Sequence, residues 1–176
     1  MKLFKVFLSL FVIVIALYVV SMFFPHTYKV ERSIEINKPQ NEVYLFMKDF
    51  KNWEKWSLWN KDADSTLVYF YGKESSDLGG RQYFWGAALG QGRFKFDTCI
   101  TNKKLVYDLH MHAGEIKAKG TFLIIGDSLS SKLVWLDSGD VGNNPIYRFM
   151  IPSKVSSTEK TFDDGLQRIK KLLESN

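Results

Sequence analysis

The sequence contains little cysteine and no concentrated charge. Only one cysteine, Cys99, occurs among 176 residues, which excludes an internal disulfide framework and a zinc knuckle. Lysine and arginine number 24 against 19 aspartate and glutamate residues, and the two signs alternate without forming a basic stripe. Such alternation is typical of a solvated surface, so we expect no nucleic-acid binding. Internal repeats and low-complexity linkers are also absent, which favours one ordinary domain.

One predicted strand carries residues that could bind a metal. Asp108, His110 and His112 alternate along the sequence and therefore share one face of the strand. Two histidines and a carboxylate on one face are possible metal ligands. An exposed polar face opposite Tyr107 and Leu109 is the preferred interpretation.

Loop residues give no stronger signal for a metal or a cofactor. Asp137, Asp140, Asn143 and Asn144 lack the glutamate that completes an EF-hand loop. The Gly-Gln-Gly sequence at 90–92 enters a strand rather than a helix, so it is no dinucleotide fingerprint. We therefore predict no metal site, no cofactor and no assignable catalytic residue.

An apolar run extends from Val6 to Phe24, interrupted only by Ser9 and Ser21. As a helix it would be roughly 29 Å long, enough to cross the hydrocarbon core of a bilayer. A signal peptide also begins with basic and apolar residues, but its apolar core is about 7 to 15 residues long and ends in small residues. We therefore predict an uncleaved transmembrane anchor at 1–25, with residues 6–24 in the membrane, followed by one domain at 27–176.

Charges beside the apolar run indicate its orientation. Lys2 and Lys5 precede it, and basic flanks usually stay in the cytoplasm. We therefore predict a single-pass protein of the cell membrane whose N-terminus is inside and whose domain is outside the cytoplasm. Lys29 and Arg32 lie near the other end of the run, which leaves the opposite orientation open.

The domain begins with a strand and a short helix. Residues 28–36 alternate between polar and apolar, which predicts a half-buried strand. Pro39 follows near a helix start. A helix of about three turns is predicted from apolar residues at helical spacing, namely Val43, Phe46, Met47 and Phe50.

Three tryptophans follow that helix at intervals of three: Trp53, Trp56 and Trp59. Indole rings so close together need apolar cover or a ligand. We expect them to close one end of the core, with direct ligand contact as the alternative.

Strands separated by turn residues fill the middle of the domain. They are predicted at 66–71, 81–87, 93–101, 105–112, 116–125 and 131–136. Alternation places Tyr83 and Trp85 on one face of their strand and Gln82 and Phe84 on the other. Cys99 falls on the polar side of its strand and has no base near it in sequence, so we predict an unreactive thiol.

A long amphipathic helix is predicted at the end of the chain. Thr158 can cap it, and residues 137–145 before it are predicted as a polar loop. Its apolar positions recur at helical spacing: Phe162, Leu166, Ile169 and Leu173. Strand, short helix, antiparallel strands and closing helix make an α+β fold.

Five segments follow one another in a specific order: VERSIEINKPQNEVYLFMKDFKNWEKWSLW, GGRQYFWG, GQGRFKF, KLVWLDSGD and TEKTFDDGLQRIKKLLE. Together they resemble the START-related helix-grip superfamily, often labelled SRPBCC, which includes plant pollen allergens and polyketide cyclase/dehydrase-like proteins. The chain is most similar to the membrane-tethered subgroup. The resemblance implies a curved antiparallel sheet wrapped on the C-terminal helix, with a cavity between them for lipids or other apolar molecules.

Large aromatic residues on the strands and the last helix are candidates for the lining of this cavity. We expect a lipid or another apolar small molecule to bind there through burial of apolar surface, at about 25 cal/mol per Å². Seven residues are predicted to contact it: Tyr83, Trp85, Phe94, Phe96, Trp135, Phe162 and Leu166.

Two other functions stay open at this point. A cyclase or dehydratase-type enzyme would need an acid or base in the cavity, and an inward-facing titratable group with a perturbed pKa would favour it. Weak candidates for that group are Asp97, Asp108, His110 and Tyr83. A protein-interaction module would instead have a filled core and a broad exposed aromatic patch, although the sequence names no protein partner.

Overall fold

The computed structural model describes residues 2–111, 116–142 and 144–175. Within these residues the helices and strands follow in the order α1 (Lys2–Ser21), β1 (Thr27–Ile36), α2 (Gln40–Met47), α3 (Phe50–Trp53), β2 (Val68–Tyr71), β3 (Arg81–Gly86), β4 (Gly90–Ile100), β5 (Lys104–Met111), β6 (Ile116–Gly126), β7 (Ser131–Asp140) and α4 (Pro145–Glu174). The predicted α+β architecture, with many antiparallel strands and a long closing helix, is confirmed.

The strands form one antiparallel sheet in the order β1-β7-β6-β5-β4-β3-β2. Thr27, at the start of β1, pairs with Asp140 at the end of β7. We call this end of the sheet, where α1 joins the domain, the proximal end. Antiparallel pairing puts the β3–β4 turn at the proximal end and the β6–β7 turn at the opposite, distal end.

The predicted first helix is divided in two. α2 ends at Met47, and Asp49 adopts an extended backbone conformation. The Asp49 side chain then accepts a hydrogen bond from the Lys51 backbone N at 3.0 Å, which caps the short helix α3. Val43, Met47 and Phe50 are all buried, as their spacing predicted.

The closing helix begins earlier than predicted, at Pro145 instead of near Thr158. The Asn144 side chain accepts hydrogen bonds from the backbone N of Ile146 at 3.0 Å and Tyr147 at 3.4 Å. Asparagine at the cap followed by proline is a favoured helix start. The loop predicted at 137–145 is also too long, because β7 continues to Asp140.

A β-bulge changes the direction of side chains in β4. The register shifts between Phe96 and Thr98, so that Phe96 pairs with Tyr107 and Cys99 pairs with Leu105. Tyr107 and Leu105 are both buried, and Cys99 consequently lies on the inner side and packs against the core. Its predicted position on the polar side is wrong, because the extra residue of a bulge breaks the alternation.

α1 is long and apolar enough to cross a membrane. Its 20 residues extend about 30 Å, and its apolar side chains are exposed. A helix of this kind occurs in membrane anchors and in signal sequences. Directly after it, the Phe24 ring contacts the Phe149 ring of α4 edge to face, with centroids 4.8 Å apart.

Candidate functional site

Aromatic side chains fill the space between the sheet and α4, which we call the grip. Trp53 in α3 and Trp56 just after it are almost fully buried there, and Trp59 is partly buried against the same core. The Trp53 indole donates from Nε1 to the Met47 carbonyl at 2.9 Å. Trp56 meets Trp135 of β7 edge to face, with ring centroids 5.4 Å apart. The preferred prediction, that these tryptophans close the core, is confirmed.

A small cleft opens at the rim of the grip, beside the exposed Leu58. It has a volume of about 30 Å³ and lies between Trp56, Trp135 and Gly165. That is the space of about one water molecule, whereas pockets for small-molecule ligands have roughly 300–1,000 Å³. Side chains therefore occupy the place where a lipid-sized cavity was expected.

Five of the seven predicted ligand-binding residues lie inside this filled core. They are Phe94, Phe96, Trp135, Phe162 and Leu166, and all are buried. Their neighbours are other core side chains, so in this arrangement they offer no free surface to a ligand.

The other two predicted residues, Tyr83 and Trp85, lie on the outer face of the sheet, away from α4. Their neighbours Gln82 and Phe84 point inward and are buried, whereas Trp85 is 52% exposed. Successive side chains of a strand point to opposite faces, so the four residues divide as the sequence predicted. The inner pair, however, faces the grip, and the structure does not bring Trp85 together with Trp135 or Phe162.

A cleft of about 490 Å³ lies on this outer face. We call it the outer cleft. It is lined by Phe70, Tyr83, Phe84, Trp85, Gln91, Gly92, Arg93 and His110. Phe70 pairs with Tyr83, which pairs with Arg93, so β2, β3 and β4 each contribute to one row across the sheet. Because this row is next to the β3–β4 turn, the cleft lies toward the proximal end.

One side of the outer cleft is cationic. The Arg93 Nη2 and His110 Nδ1 atoms are 3.3 Å apart; arginine can only donate, so the histidine nitrogen accepts. Lys117 follows His110 in the same row. The nearby carboxylate of Asp108 is 3.4 Å from the Lys119 ammonium, and among the described residues Arg93 has no carboxylate within ion-pair distance.

Asp64 fixes the turn beside the cleft. Its Oδ2 accepts hydrogen bonds from the backbone N of Ala88 at 2.8 Å and Leu89 at 3.0 Å, while Oδ1 accepts from the Thr66 hydroxyl. These hydrogen bonds lower the pKa of the Asp64 carboxyl to about 2, and the bond from the Thr66 hydroxyl contributes most. The β3–β4 turn is thereby held to the loop that precedes β2.

Gly92 of β4 lies in close contact with the buried Phe84 ring of β3 and with the backbone of β5. A Cβ at this position would come within 2.4 Å of the Phe84 ring and 2.8 Å of the His110 carbonyl oxygen. Any larger residue would displace Phe84 from its buried position. The glycine is therefore required by this close approach.

Comparison with known proteins identifies the fold. The sequence matches no family model and no curated protein. The structure is similar to SA2116 of Staphylococcus aureus, a protein of unknown function, with a TM-score of 0.64 and 10% identity over 85% of this chain and 96% of that one. It is also similar to Ara h 8.0201, with a TM-score of 0.59 and 13% identity over 85% and 99% of the two chains.

A third similar structure is DynU16 from the dynemicin biosynthetic locus, with a TM-score of 0.59 and 14% identity over 83% of this chain and 47% of that one. The present chain thus spans about half the length of DynU16. The chain has the helix-grip fold of these structures. At these identities the similarity concerns the fold alone.

This helix-grip chain has a polar cluster on the inner face of the sheet that the sequence did not indicate. The Trp135 indole donates to the Tyr107 hydroxyl at 2.9 Å, and the Lys154 ammonium donates to the Tyr28 hydroxyl at 3.0 Å. Burial raises the pKa of the Tyr107 hydroxyl. Burial also raises the pKa of the Asp137 carboxyl, and the positive charge of Lys154 partly offsets that second shift. Asp137 is thus an inward-facing acid with a perturbed pKa. It does not line the small cleft beside Trp56, but together with Tyr28 and Leu136 it lines a separate cleft of about 550 Å³.

The four weak enzyme candidates lie outside the grip. Asp97 and Asp108 are held by the Lys119 ammonium at 3.0 and 3.4 Å. His110 and Tyr83 line the outer cleft. None of them is brought to the buried cluster of Asp137.

The possible metal ligands are only partly described. His112 and Asn143 lie outside the described residues. Within the described part of the chain, no three His, Cys, Asp or Glu side chains are close enough to hold a metal ion. Burial raises the pKa of the Cys99 thiol to about 11, and the nearby Asp77 carboxylate adds to this, as expected of an unreactive thiol.

Sequence reasoning missed Phe70 and Arg93 as members of the site. Phe70 lies on β2, an edge strand whose outer side chains had no predicted role, and Arg93 had no predicted role beyond the start of the strand at 93–101. Their pairing with Tyr83 brings both to the cleft. One signal in the sequence could have indicated this cleft: two successive strands each carry an aromatic residue on their polar face, namely Phe70 and Trp85.

Proposed function

We propose that this chain is a membrane-anchored helix-grip domain that binds a membrane amphiphile in the outer cleft. The apolar part of the ligand lies against Phe70 and Trp85, and its anionic group lies at Arg93. One observation carries the proposal: exposed aromatic rings line the same cleft as an arginine that has no carboxylate partner among residues 2–111, 116–142 and 144–175. The ligand class thus follows the expectation of an apolar molecule, but its place is the outer face instead of the grip.

The apolar contribution comes from rings that water now covers. Trp85 is 52% and Phe70 is 59% exposed. Removing such surface from water stabilises a complex by about 25 cal/mol per Å². The cleft volume of about 490 Å³ lies in the range of small-molecule pockets, roughly 300–1,000 Å³.

The polar contribution comes from Arg93. A guanidinium forms paired hydrogen bonds with carboxylates and phosphates. Lys117, on the other side of His110 in the same row, extends the positive charge. A fatty acid or an anionic phospholipid combines the two features that the cleft requires.

The anchor would supply the ligand. α1 is apolar and long enough to span a bilayer, and only residues 22–26 separate it from β1. Five residues span at most roughly 18 Å, so the proximal end stays near the membrane surface and the cleft meets lipid at high local concentration. Lys2 and Lys5, in the first turns of α1 and before its apolar run, favour a cytoplasmic N-terminus and a domain on the other side.

Photocrosslinking from Phe70 tests this function. Full-length chain with benzoylphenylalanine in place of Phe70 is irradiated in nanodiscs of neutral or anionic phospholipid, and the adduct mass is measured. We expect an adduct of lipid mass, formed preferentially with anionic lipid. Trp85→Ala should reduce its yield about tenfold, and Arg93→Gln should remove the preference for anionic lipid.

Leu129 provides the matched control. It is a highly exposed apolar residue in the distal β6–β7 turn, so benzoylphenylalanine there should give no lipid adduct, and Leu129→Ala should leave the Phe70 adduct unchanged. Equal yields from Phe70 and Leu129, or a yield unaffected by Trp85→Ala, would overturn the proposal.

A protein-interaction module is the second candidate. Two observations favour it: the grip is filled, and Val68, Phe70 and Trp85 expose apolar surface on and beside the edge strand β2. An edge strand offers unpaired backbone groups to another chain. The same crosslinking experiment separates the candidates, because this one predicts a Phe70 adduct of protein mass that requires no lipid.

A further inference from the structure

The first two turns of α4 have an inverted distribution of polarity. Ile146, Tyr147 and Met150 are 66%, 55% and 56% exposed, whereas the charged residue between them, Arg148, is only 9% exposed. The Arg148 Nε donates to the Gly142 carbonyl at 2.9 Å. A helix on the surface of a protein in water normally turns its charged face outward, so this segment is not arranged for contact with water.

The exposed apolar residues are next to the predicted anchor. Phe23, which follows α1, is almost fully exposed, and its neighbour Phe24 contacts the Phe149 ring of α4 at 4.8 Å. We call the surface formed by Phe23, Ile146, Tyr147 and Met150 the proximal patch. It is continuous with the apolar surface of α1 and lies at the end of the domain where α1 joins it.

The position of the proximal patch at the end of α1 favours the membrane as its partner. A helix that spans a bilayer brings the residues at its end to the membrane interface, where aromatic and apolar side chains are favoured. The Phe24–Phe149 contact keeps the start of α4 at that level. A soluble partner protein would have to displace lipid from the same place.

We propose that the proximal patch inserts into the interfacial layer of the membrane, so that the domain is docked on the bilayer and not merely tethered to it. The inference rests on the anchoring part of the proposed function and adds to it a fixed orientation. Docking through the patch holds the proximal end of the sheet, toward which the outer cleft lies, against the lipid surface.

Depth-dependent quenching in nanodiscs tests this docking. In full-length chain with Cys99→Ala, single cysteines replace Ile146, Met150, Phe11 or Leu129, and each carries an environment-sensitive fluorophore. The quenchers are nitroxides on the upper part of the lipid acyl chains and, in separate nanodiscs, near the ends of those chains, because Phe11 lies at the middle of α1. All four side chains are exposed, so the substitutions leave the core packing unchanged. Leu129 is the matched control at the distal end, and Phe11 reports on α1.

We expect quenching at positions 146, 150 and 11 and none at position 129. If position 11 is quenched but positions 146 and 150 are not, as at position 129, docking is overturned while the anchor stays in place. Absence of quenching at position 11 would overturn the anchor itself and docking with it. Neither result depends on ligand binding in the outer cleft, which the crosslinking from Phe70 measures separately.

Discussion

The rings of Trp135 and Phe162 are stacked, with centroids 3.8 Å apart and planes inclined by 7°. Trp135 belongs to β7 and Phe162 to α4, so this contact joins the sheet directly to the helix. Gly165, one turn after Phe162, makes the approach possible, because a Cβ there would come 3.0 Å from the Trp135 ring. The grip of this chain is therefore closed by side-chain packing, and the search for a ligand site leads to the outer face.

Phe162→Ala should remove the ring stack that joins α4 to β7. Replacing a buried phenylalanine by alanine costs about 3–5 kcal/mol of unfolding free energy, because apolar contacts are lost and a cavity remains. Phe70→Ala is the matched control, since Phe70 is exposed and should change stability by about 0.5 kcal/mol or less. Urea denaturation measures both values. A loss below about 1 kcal/mol for Phe162→Ala would mean that the grip is not closed by this ring.

Asp64→Asn should destabilise the domain in a pH-dependent way. The folded-state pKa of Asp64, about 2, is below its ordinary value of 3.8, so the ionised carboxylate stabilises the fold. This contribution is complete above the ordinary pKa and is lost as the pH falls through about 2. The variant should therefore melt below the original chain near neutral pH, and the difference should shrink under strongly acidic conditions.

Asp62 supplies the control for that experiment. It is exposed and lies two residues before Asp64, so Asp62→Asn should leave the melting temperature unchanged at every pH. Circular dichroism melts across the acidic range provide the comparison. A melting difference between the original chain and Asp64→Asn that does not change with pH would contradict the account of the β3–β4 turn.

The Cys99 thiol should react slowly with disulfide reagents in the folded chain. Its pKa is raised from 9.0 to about 11, so at neutral pH the reactive thiolate fraction falls about a hundredfold. The rate of reaction with an aromatic disulfide reagent, measured by absorbance, should rise by at least this factor in denaturant. Equal rates in the two conditions would place the thiol in contact with solvent.

Local patterns predicted most of the fold. The alternation in β1 and the helical spacing of Val43 and Met47 each identified a buried face, because one element's own periodicity determines which side meets the core. The spacing of Phe162 and Leu166 did the same for α4. The order of these elements then favoured the helix-grip fold, which the structure has.

Features that depend on exact geometry could not be predicted. The bulge in β4 adds one residue without changing the composition, so nothing in the sequence showed that Cys99 turns inward. The early start of α4 depends on the Asn144 cap, in a stretch that had been interpreted as a polar loop. The bulge shifts the register by one residue, whereas α4 starts 13 residues before Thr158. Both errors change which side chains are exposed.

The position of the site could not be predicted from the sequence, because it depends on how completely side chains fill the space between the sheet and α4. Trp53 and Trp56 were known to need apolar cover, but only their placement against Trp135 shows that they use the space expected for a ligand. The division of Tyr83 and Trp85 from Gln82 and Phe84 was predictable. Which of the two faces points at α4 is decided by pairing across the whole sheet.

Fluorine NMR of full-length chain labelled with fluorotryptophan in nanodiscs shows directly whether a ligand binds in the outer cleft or in the grip. The chain has five tryptophans, whose signals are assigned by single Trp→Phe substitutions. On addition of a fatty acid, the Trp85 signal should shift in a saturable manner while those of Trp56 and Trp135 stay in place. Shifts of Trp56 and Trp135 with an unchanged Trp85 signal would mean that the grip opens to hold the ligand, and would contradict the outer cleft as the binding site.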